Sequence, residues 1–141
     1  MTEKKIFHQG DVFLVNFQPG KIGIYGRRPA VCLHDSVSVP GPMALVAPIT
    51  SLYNKYGERK TRSILTDVAL YKEKYPDGPI DKDSLVLVHE VRMVHHSELT
   101  RYLGRLHDRD IQQIKYSLIL LFGMENLIEK LAKSRSEMAG E

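Results

Sequence analysis

The sequence predicts a mainly β domain, a small barrel or a strongly bent sheet, with one or two helices at its C-terminal end. Three observations carry this. Short runs of β-branched and aromatic residues recur between glycine- and proline-rich turns up to about residue 106. At Asp108 the hydrophobic pattern changes to spacings of three and four, one face of a helix. A length of 141 residues with 43% hydrophobic content suits one core. The expected layout is a single domain over 1–141, with a core from about 9 to 123 and a helical extension and tail over 124–141.

Each element has its own signal. Asp11 to Phe17 reads D-V-F-L-V-N-F, a strand. Gln18 to Gly26 holds Pro19, Gly20, Gly23 and Gly26, a loop. Pro29 to Leu33 is a second strand with Arg28 at its mouth, and Pro40-Gly41-Pro42 turns the chain into a third strand, Met43 to Ile49. Ser51 to Lys60 is polar and basic, and Thr61 to Asp67 is a candidate strand. Tyr71 to Asp83 reads as a loop or short helix followed by a turn. Ser84 to His89 is an apolar run of strand length that Val91 to Val94 continues, and Tyr102 to Leu106 is a short edge strand. Ile111, Ile114, Leu118 and Leu121 mark the helix, with Asp108 as its cap, Asp110 at the positive end of its dipole and Gly123 as its stop. Leu127, Ile128 and Leu131 suggest a short amphipathic extension, and the tail from Ser134 is expected to fray.

Composition removes several classes of function. The net charge of +3 is compatible with a nucleic-acid partner but is no histone-like arm. A single cysteine, Cys32, excludes an intramolecular disulfide and points to a reduced, cytoplasmic setting. The first ten residues are polar and charged, unlike a signal peptide, and no apolar run approaches the ~20 residues that span a bilayer, so no membrane partner is expected. Gly20, Gly23 and Gly26 are not followed by a helical pattern, so neither a P-loop nor a dinucleotide fingerprint is supported. His95 and His96 are adjacent and would face opposite sides of a strand, and neither H-E-x-x-H, C-x-x-C nor G-x-S-x-G occurs. No metal and no cofactor are therefore expected.

Two places invite chemistry. Pro29 lacks an N–H and belongs at a strand start, which sets Arg28 on a rigid edge beside a glycine-rich loop. A guanidinium there can grip a phosphate through paired hydrogen bonds, or it is an ordinary solvated charge. Thr50 closes the apolar run V-A-P-I-T, and its hydroxyl can donate to a phosphate oxygen or simply end a strand.

Four segments, taken in order, resemble the MazF/PemK toxins. They are G-D-V-F-L-V-N-F-Q-P from Gly10, R-R-P-A-V-C-L from Arg27, V-A-P-I-T-S from Val46 and D-S-L-V-L-V-H-E-V-R-M-V from Asp83. With the late helix, the resemblance covers most of residues 9–123. It implies an SH3-like or CcdB-like barrel, a homodimer, and metal-free, sequence-selective cleavage of single-stranded RNA such as mRNA to a 2′,3′-cyclic phosphate and a 5′-hydroxyl. It implies a cognate antitoxin whose acidic, disordered arm occupies the RNA groove. By resemblance Arg28 and Thr50 carry catalysis, and Arg27, Ser51, His89, Glu90 and Arg92 bind RNA.

The chain departs from the family in four respects, two of them a longer stretch from Ser51 to Asp83 and an added helix past Gly123. An E-Q pair common before the arginine is replaced by Gly23 and Ile24. The usual acid and glutamine before valine/isoleucine-arginine are His89 and Glu90. The general base is thus open: an imidazole ordinarily titrates near neutrality and suits proton transfer, but a buried or stacking role fits His89 equally. The alternative function is a catalytically silent or CcdB-like protein that binds RNA or a protein target without cleavage. Lys55, Arg59, Lys60 and Arg62 follow Thr50 and either flank the RNA groove or form a solvated surface.

Overall fold

The computed structural model describes residues 5–18, 26–39, 41–59 and 65–139. Among these run seven strands: β1 (Asp11–Phe17), β2 (Gly26–Cys32), β3 (Met43–Ser51), β4 (Val68–Leu70), β5 (Ser84–Val86), β6 (Arg92–His95) and β7 (Leu99–Arg105). Helices α1 (Asp108–Leu121) and α2 (Glu125–Ala139) follow. The mainly β expectation holds. All the pairings are antiparallel, in the order β4-β5-β3-β2-β1-β7, with β6 also on β3.

β3 is the hub. One of its edges takes β2 at Val46–Pro48, and the other takes β6 along Met43–Val46 and β5 along Ile49–Ser51. Pro48 sits at the changeover, where its carbonyl accepts from the Leu87 amide at 2.9 Å. Pro48 has no N–H to give, so a break in pairing is best placed there. The described pairings leave β4 and β7 as ends, so the sheet is open. It is also curled: the Arg92 guanidinium of β6 lies 5.2 Å over the Phe17 ring of β1, although β2 and β3 run between them. A flat sheet would hold those strands about 14 Å apart.

Strand alternation gives each face its own core. Val12, Val31, Ala47, Ile49, Val68 and Val86 pack beneath Ile111 and Ile114 of α1. Phe13, Val15, Phe17, Ala30, Cys32, Val46 and Val94 pack on the other face with Phe7. A smaller cluster of Leu52, Leu85 and Leu87 extends this second face. With both faces of the central strands buried, their sequences read as nearly continuous apolar runs, which explains why Val46–Ile49 shows no alternation.

Several elements differ from expectation for identifiable reasons. β2 begins at Gly26, not Pro29, because Gly26–Arg28 pair with Phe17, Asn16 and Val15. Pro29 is tolerated inside the strand because pairing with β3 starts only at Ala30. β3 runs to Ser51, two residues past Ile49. Residues 61–64 of the candidate strand Thr61 to Asp67 lie outside the described residues, as does most of the loop Gln18 to Gly26; Leu65 and Thr66 form a turn, and the strand is Val68–Leu70. The run from Ser84 to Val94 is divided by a 3₁₀ turn at Val88–Glu90. His107, in extended conformation, is the N-cap of α1, not Asp108. α1 stops as predicted: Gly123 has φ +63, and the amides of Gly123 and Met124 bond to the carbonyls of Leu120 and Ile119. Those are both bonds of a Schellman motif. The segment from Ser134, expected to fray, continues α2 to Ala139; Glu129 and Lys133, four apart, support it.

Candidate active site

The register that joins Ala30 to Pro48 and Cys32 to Val46, carried two residues further, sets Arg28 alongside Thr50. Residues 22 apart in sequence are thereby brought to one end of the sheet, and both are half-buried. Both border a cleft of about 780 Å³, which Arg27, Pro29, Ile49 and Ser51 also line. Alternation places Arg27 and Ser51 on the cleft face with Leu14 and Ile49, and turns Arg28 and Thr50 toward the second face. The predicted pair therefore stands at a rim where the two faces meet.

The cleft's far wall is the segment 76–82, with a cis bond at Gly78–Pro79. Lys72 holds that wall. Its ammonium donates to the carbonyls of Tyr75 at 2.8 Å, Ile80 at 3.0 Å and Pro76 at 3.3 Å, and its amide donates to the Asp83 carboxylate at 2.8 Å. Tyr75 anchors the same segment to α1: its hydroxyl donates to Asp110 at 2.5 Å and accepts from the His107 amide at 2.9 Å, and its ring stacks on His107 at 4.2 Å. Burial and donation to Asp110 push the Tyr75 phenol above its ordinary range. Five cationic side chains line the cleft, Arg27, Arg28, Lys72, Lys82 and Arg101, against the carboxylates Asp77 and Asp81. An anionic ligand is the better match for that balance.

His89, Glu90 and Arg92 are not among the residues lining this cleft. They form a polar chain at the junction of β5 and β6. His89 Nδ1 lies 3.2 Å from Asp67 Oδ1, His89 Nε2 lies 3.9 Å from Glu90 Oε2, and Glu90 Oε1 lies 3.6 Å from Arg92 Nη2. Arg92 pairs with Val46 of β3 and covers Phe17, which alternates onto the same face as Val15 and Arg28. The chain thus borders the second face, the one toward which Arg28 and Thr50 turn.

Asp67, Lys72, Lys82 and Arg101 were not legible as site residues. Each is an isolated polar residue in a loop or on an edge strand, and only the fold gathers them. After Thr50, Tyr53 and Arg59 form a β-bridge, with Tyr53, Lys55, Tyr56 and Arg59 exposed, and the Lys55 ammonium lies 5.1 Å over the Tyr56 ring. Lys60 and Arg62 lie outside the described residues. Cys32 is no nucleophile: burial, and then the nearby Asp11 charge, push its thiol up to about 12. Among the described residues no group of three or more His, Cys, Asp or Glu side chains converges as a metal site would require. No helix among them is long and apolar enough to cross a membrane.

Residues 8–122 match the family model described as PemK-like, MazF-like toxin of type II toxin–antitoxin system. The Endoribonuclease MazF of Staphylococcus saprophyticus is 27% identical over 124 residues, 86% of this chain and 96% of that protein. The crystal structure of MazF from Deinococcus radiodurans superposes with a TM-score of 0.65 at 19% identity, over 85% of this chain and 99% of that one. An endoribonuclease in complex with its cognate antitoxin, from Mycobacterial species, superposes with a TM-score of 0.61 at 19% identity, over 83% and 95% of the two chains. The family match spans both cores, the cleft and the whole of α1, and so the chain belongs to the PemK-like, MazF-like toxins of type II toxin–antitoxin systems.

Proposed function

We propose that this toxin is a sequence-selective endoribonuclease that cleaves single-stranded RNA without a metal ion. The observation that carries the reading is that Arg28 and Thr50, from adjacent strands, both border one cation-lined cleft. The similarity to a protein named endoribonuclease supports it. In RNA the nucleophile is the substrate's own 2′-hydroxyl, so no activated water is obligatory. The 2′-oxygen bonds to phosphorus, the bond from phosphorus to the 5′-oxygen breaks, and the products are a 2′,3′-cyclic phosphate and a 5′-hydroxyl. Arg28 stabilises charge on the phosphoryl oxygens and Thr50 fixes one of them. Arg27, Ser51, His89, Glu90 and Arg92 hold the flanking RNA, and the exposed Lys55 and Arg59 extend the basic surface.

The protein works in the cytoplasm as a homodimer, because one small sheet offers little concave surface and a two-fold axis lengthens the groove. A cognate antitoxin with an acidic arm fits the same cations.

The test is single-turnover cleavage of a long RNA, with the cut ends mapped. Loss of one transition-state contact typically lowers the rate by ~10²–10³, and that is the expected effect of Arg28→Ala. Full activity is expected in excess EDTA, and an all-2′-deoxy substrate should be inert. An Arg28→Ala protein cutting at the wild-type rate, or cleavage of the deoxy substrate, would overturn the mechanism. Binding without any cut would move the protein to the binding-only alternative.

A further inference from the structure

The Asp67 side chain is only 3% exposed, and the partly exposed imidazole of His89 is one of the groups set against it. A buried carboxylate is expensive to desolvate unless a cation or donor faces it. The 3.2 Å approach of Oδ1 to Nδ1 is an ion-pair distance, short of an aligned hydrogen bond. Of the two carboxylates beside the ring, Asp67 stands nearer Nδ1, at 3.2 Å, than Glu90 stands to Nε2, at 3.9 Å, which biases the neutral ring toward a proton on Nδ1 and a lone pair on Nε2. Nε2 points toward the side of the chain where Glu90 and Arg92 lie, and Arg92 reaches over Phe17 on the face toward which Arg28 and Thr50 turn.

The level of His89 along β3 is set by its neighbours. Leu87 bonds to Pro48 and Arg92 pairs with Val46, so the 3₁₀ turn carrying His89 sits beside Ala47 and Pro48. That is two to three residues from Thr50, or about 7–10 Å at the strand rise. This is a backbone interval, and with the side-chain reach at each end it has room for a phosphate and the 2′-hydroxyl that attacks it from about 3 Å.

We propose that Asp67 is a positioning residue that fixes His89 as the proton carrier of RNA cleavage; this rests on the endoribonuclease reading above. His89 Nε2 takes the 2′-hydroxyl proton as the 2′-oxygen bonds to phosphorus. The bond to the 5′-oxygen breaks, and that oxygen takes a proton from water. The imidazolium returns its proton to solvent. Asp67 stabilises the charge that develops on the ring and holds the tautomer. Among the described residues, the charged groups facing His89 include Asp67 from the segment before β4 and Glu90 from its own turn, with Arg92 of β6 behind Glu90. Nothing local in the sequence links Asp67 to His89, 22 residues away.

Two measurements on the full chain test this. The first is ¹⁵N NMR of the imidazoles near pH 8, with the His89 signals assigned by their loss in His89→Gln. A proton on Nδ1 is expected, and a proton on Nε2 would overturn the proposal. The second is single-turnover cleavage. His89→Gln should slow the reaction by ~10²-fold or more, in the range of general acid–base catalysis, and Asp67→Asn by at least about tenfold. Asp67→Asn, which lies outside the RNA-holding set, should leave affinity for the uncleavable 2′-deoxy RNA unchanged. The double variant should be no slower than His89→Gln alone; effects that multiply would overturn the dyad. If Asp67→Asn does not fold, the partly exposed His89→Gln still decides. Its cutting at the wild-type rate while Arg28→Ala is slow overturns this inference alone, whereas a wild-type protein that never cuts RNA overturns the parent reading with it.

Discussion

Replacing Tyr75 by phenylalanine deletes one oxygen that joins three parts of the molecule. The hydroxyl donates to the Asp110 carboxylate in the first turn of α1 at 2.5 Å and accepts from the amide of the N-cap residue His107 at 2.9 Å. Tyr75 itself is 1% exposed, so its ring keeps its packing and its stacking on His107 in the variant. The loss is therefore confined to polar terms. A hydrogen bond to a charged acceptor contributes about 1.5–3 kcal/mol, and a donor left without a partner costs about 1–3 kcal/mol. Asp110 is half-exposed and His107 is exposed, so both recover water, which pulls both figures to their lower ends. The sum is about 2–3 kcal/mol. For a chain of this length 1 kcal/mol moves Tm by about 4 °C, so Tyr75→Phe should melt about 8–12 °C lower in calorimetry at neutral pH. The cleft wall at 76–82 follows directly from Tyr75, so RNA affinity should fall as well. A double-mutant cycle with Asp110→Asn isolates the bond, with an expected coupling of about 1 kcal/mol or more. A Tm drop under 2 °C, or additive effects in the cycle, would refute the reasoning.

Other consequences are open to measurement. The Cys32 thiol is held up to about 12 from an ordinary value of 9.0, so between those pH values the unfolded chain loses a proton that the folded chain keeps. Stability is complete below pH 9 and falls as pH rises, by at most about 1.4 kcal/mol per unit for this group. The raised Tyr75 phenol adds a loss of the same sign from about pH 10 upward. Urea unfolding of Cys32→Ala at stepped pH should show the alkaline slope reduced by up to one proton, and an unchanged slope would contradict the assignment. Every described side chain of α2 is exposed, Leu127, Ile128 and Leu131 among them. Removing 124–141 should therefore leave Tm within about 2 °C, whereas a drop beyond about 5 °C would mean that α2 covers part of the core.

The sequence by itself determined the class of fold and the end points that depend on local chemistry. β1 matches its apolar run residue for residue, because aromatic and β-branched side chains with turns on both sides leave few alternatives. α1 was legible from its period and its Gly123 stop, since a positive φ at the residue after the helix is a local demand that glycine meets most easily. Arg28 and Thr50 stand out in the sequence as candidates, through motif order and through the rigidity that Pro29 and a strand end impose, and in the fold both border one cleft. Other features depended on partners distant in sequence. β4 is three residues long and exists because Val68–Leu70 find Ser84–Val86. The 3₁₀ turn at Val88–Glu90 interrupts an unbroken apolar run because β3 changes partner at Pro48. His107 displaces Asp108 as the cap of α1 because Tyr75, 32 residues earlier, satisfies its amide and ties down Asp110. For the same reason Asp67 behind His89 and Lys72 behind the cleft wall carry no sequence signature. Their roles come from burial and contact, which the curl of the sheet creates by bringing Phe17 of β1 against Arg92 of β6. Local propensity sets what each segment can be, and long-range pairing decides which polar side chains lose their water and must find one another.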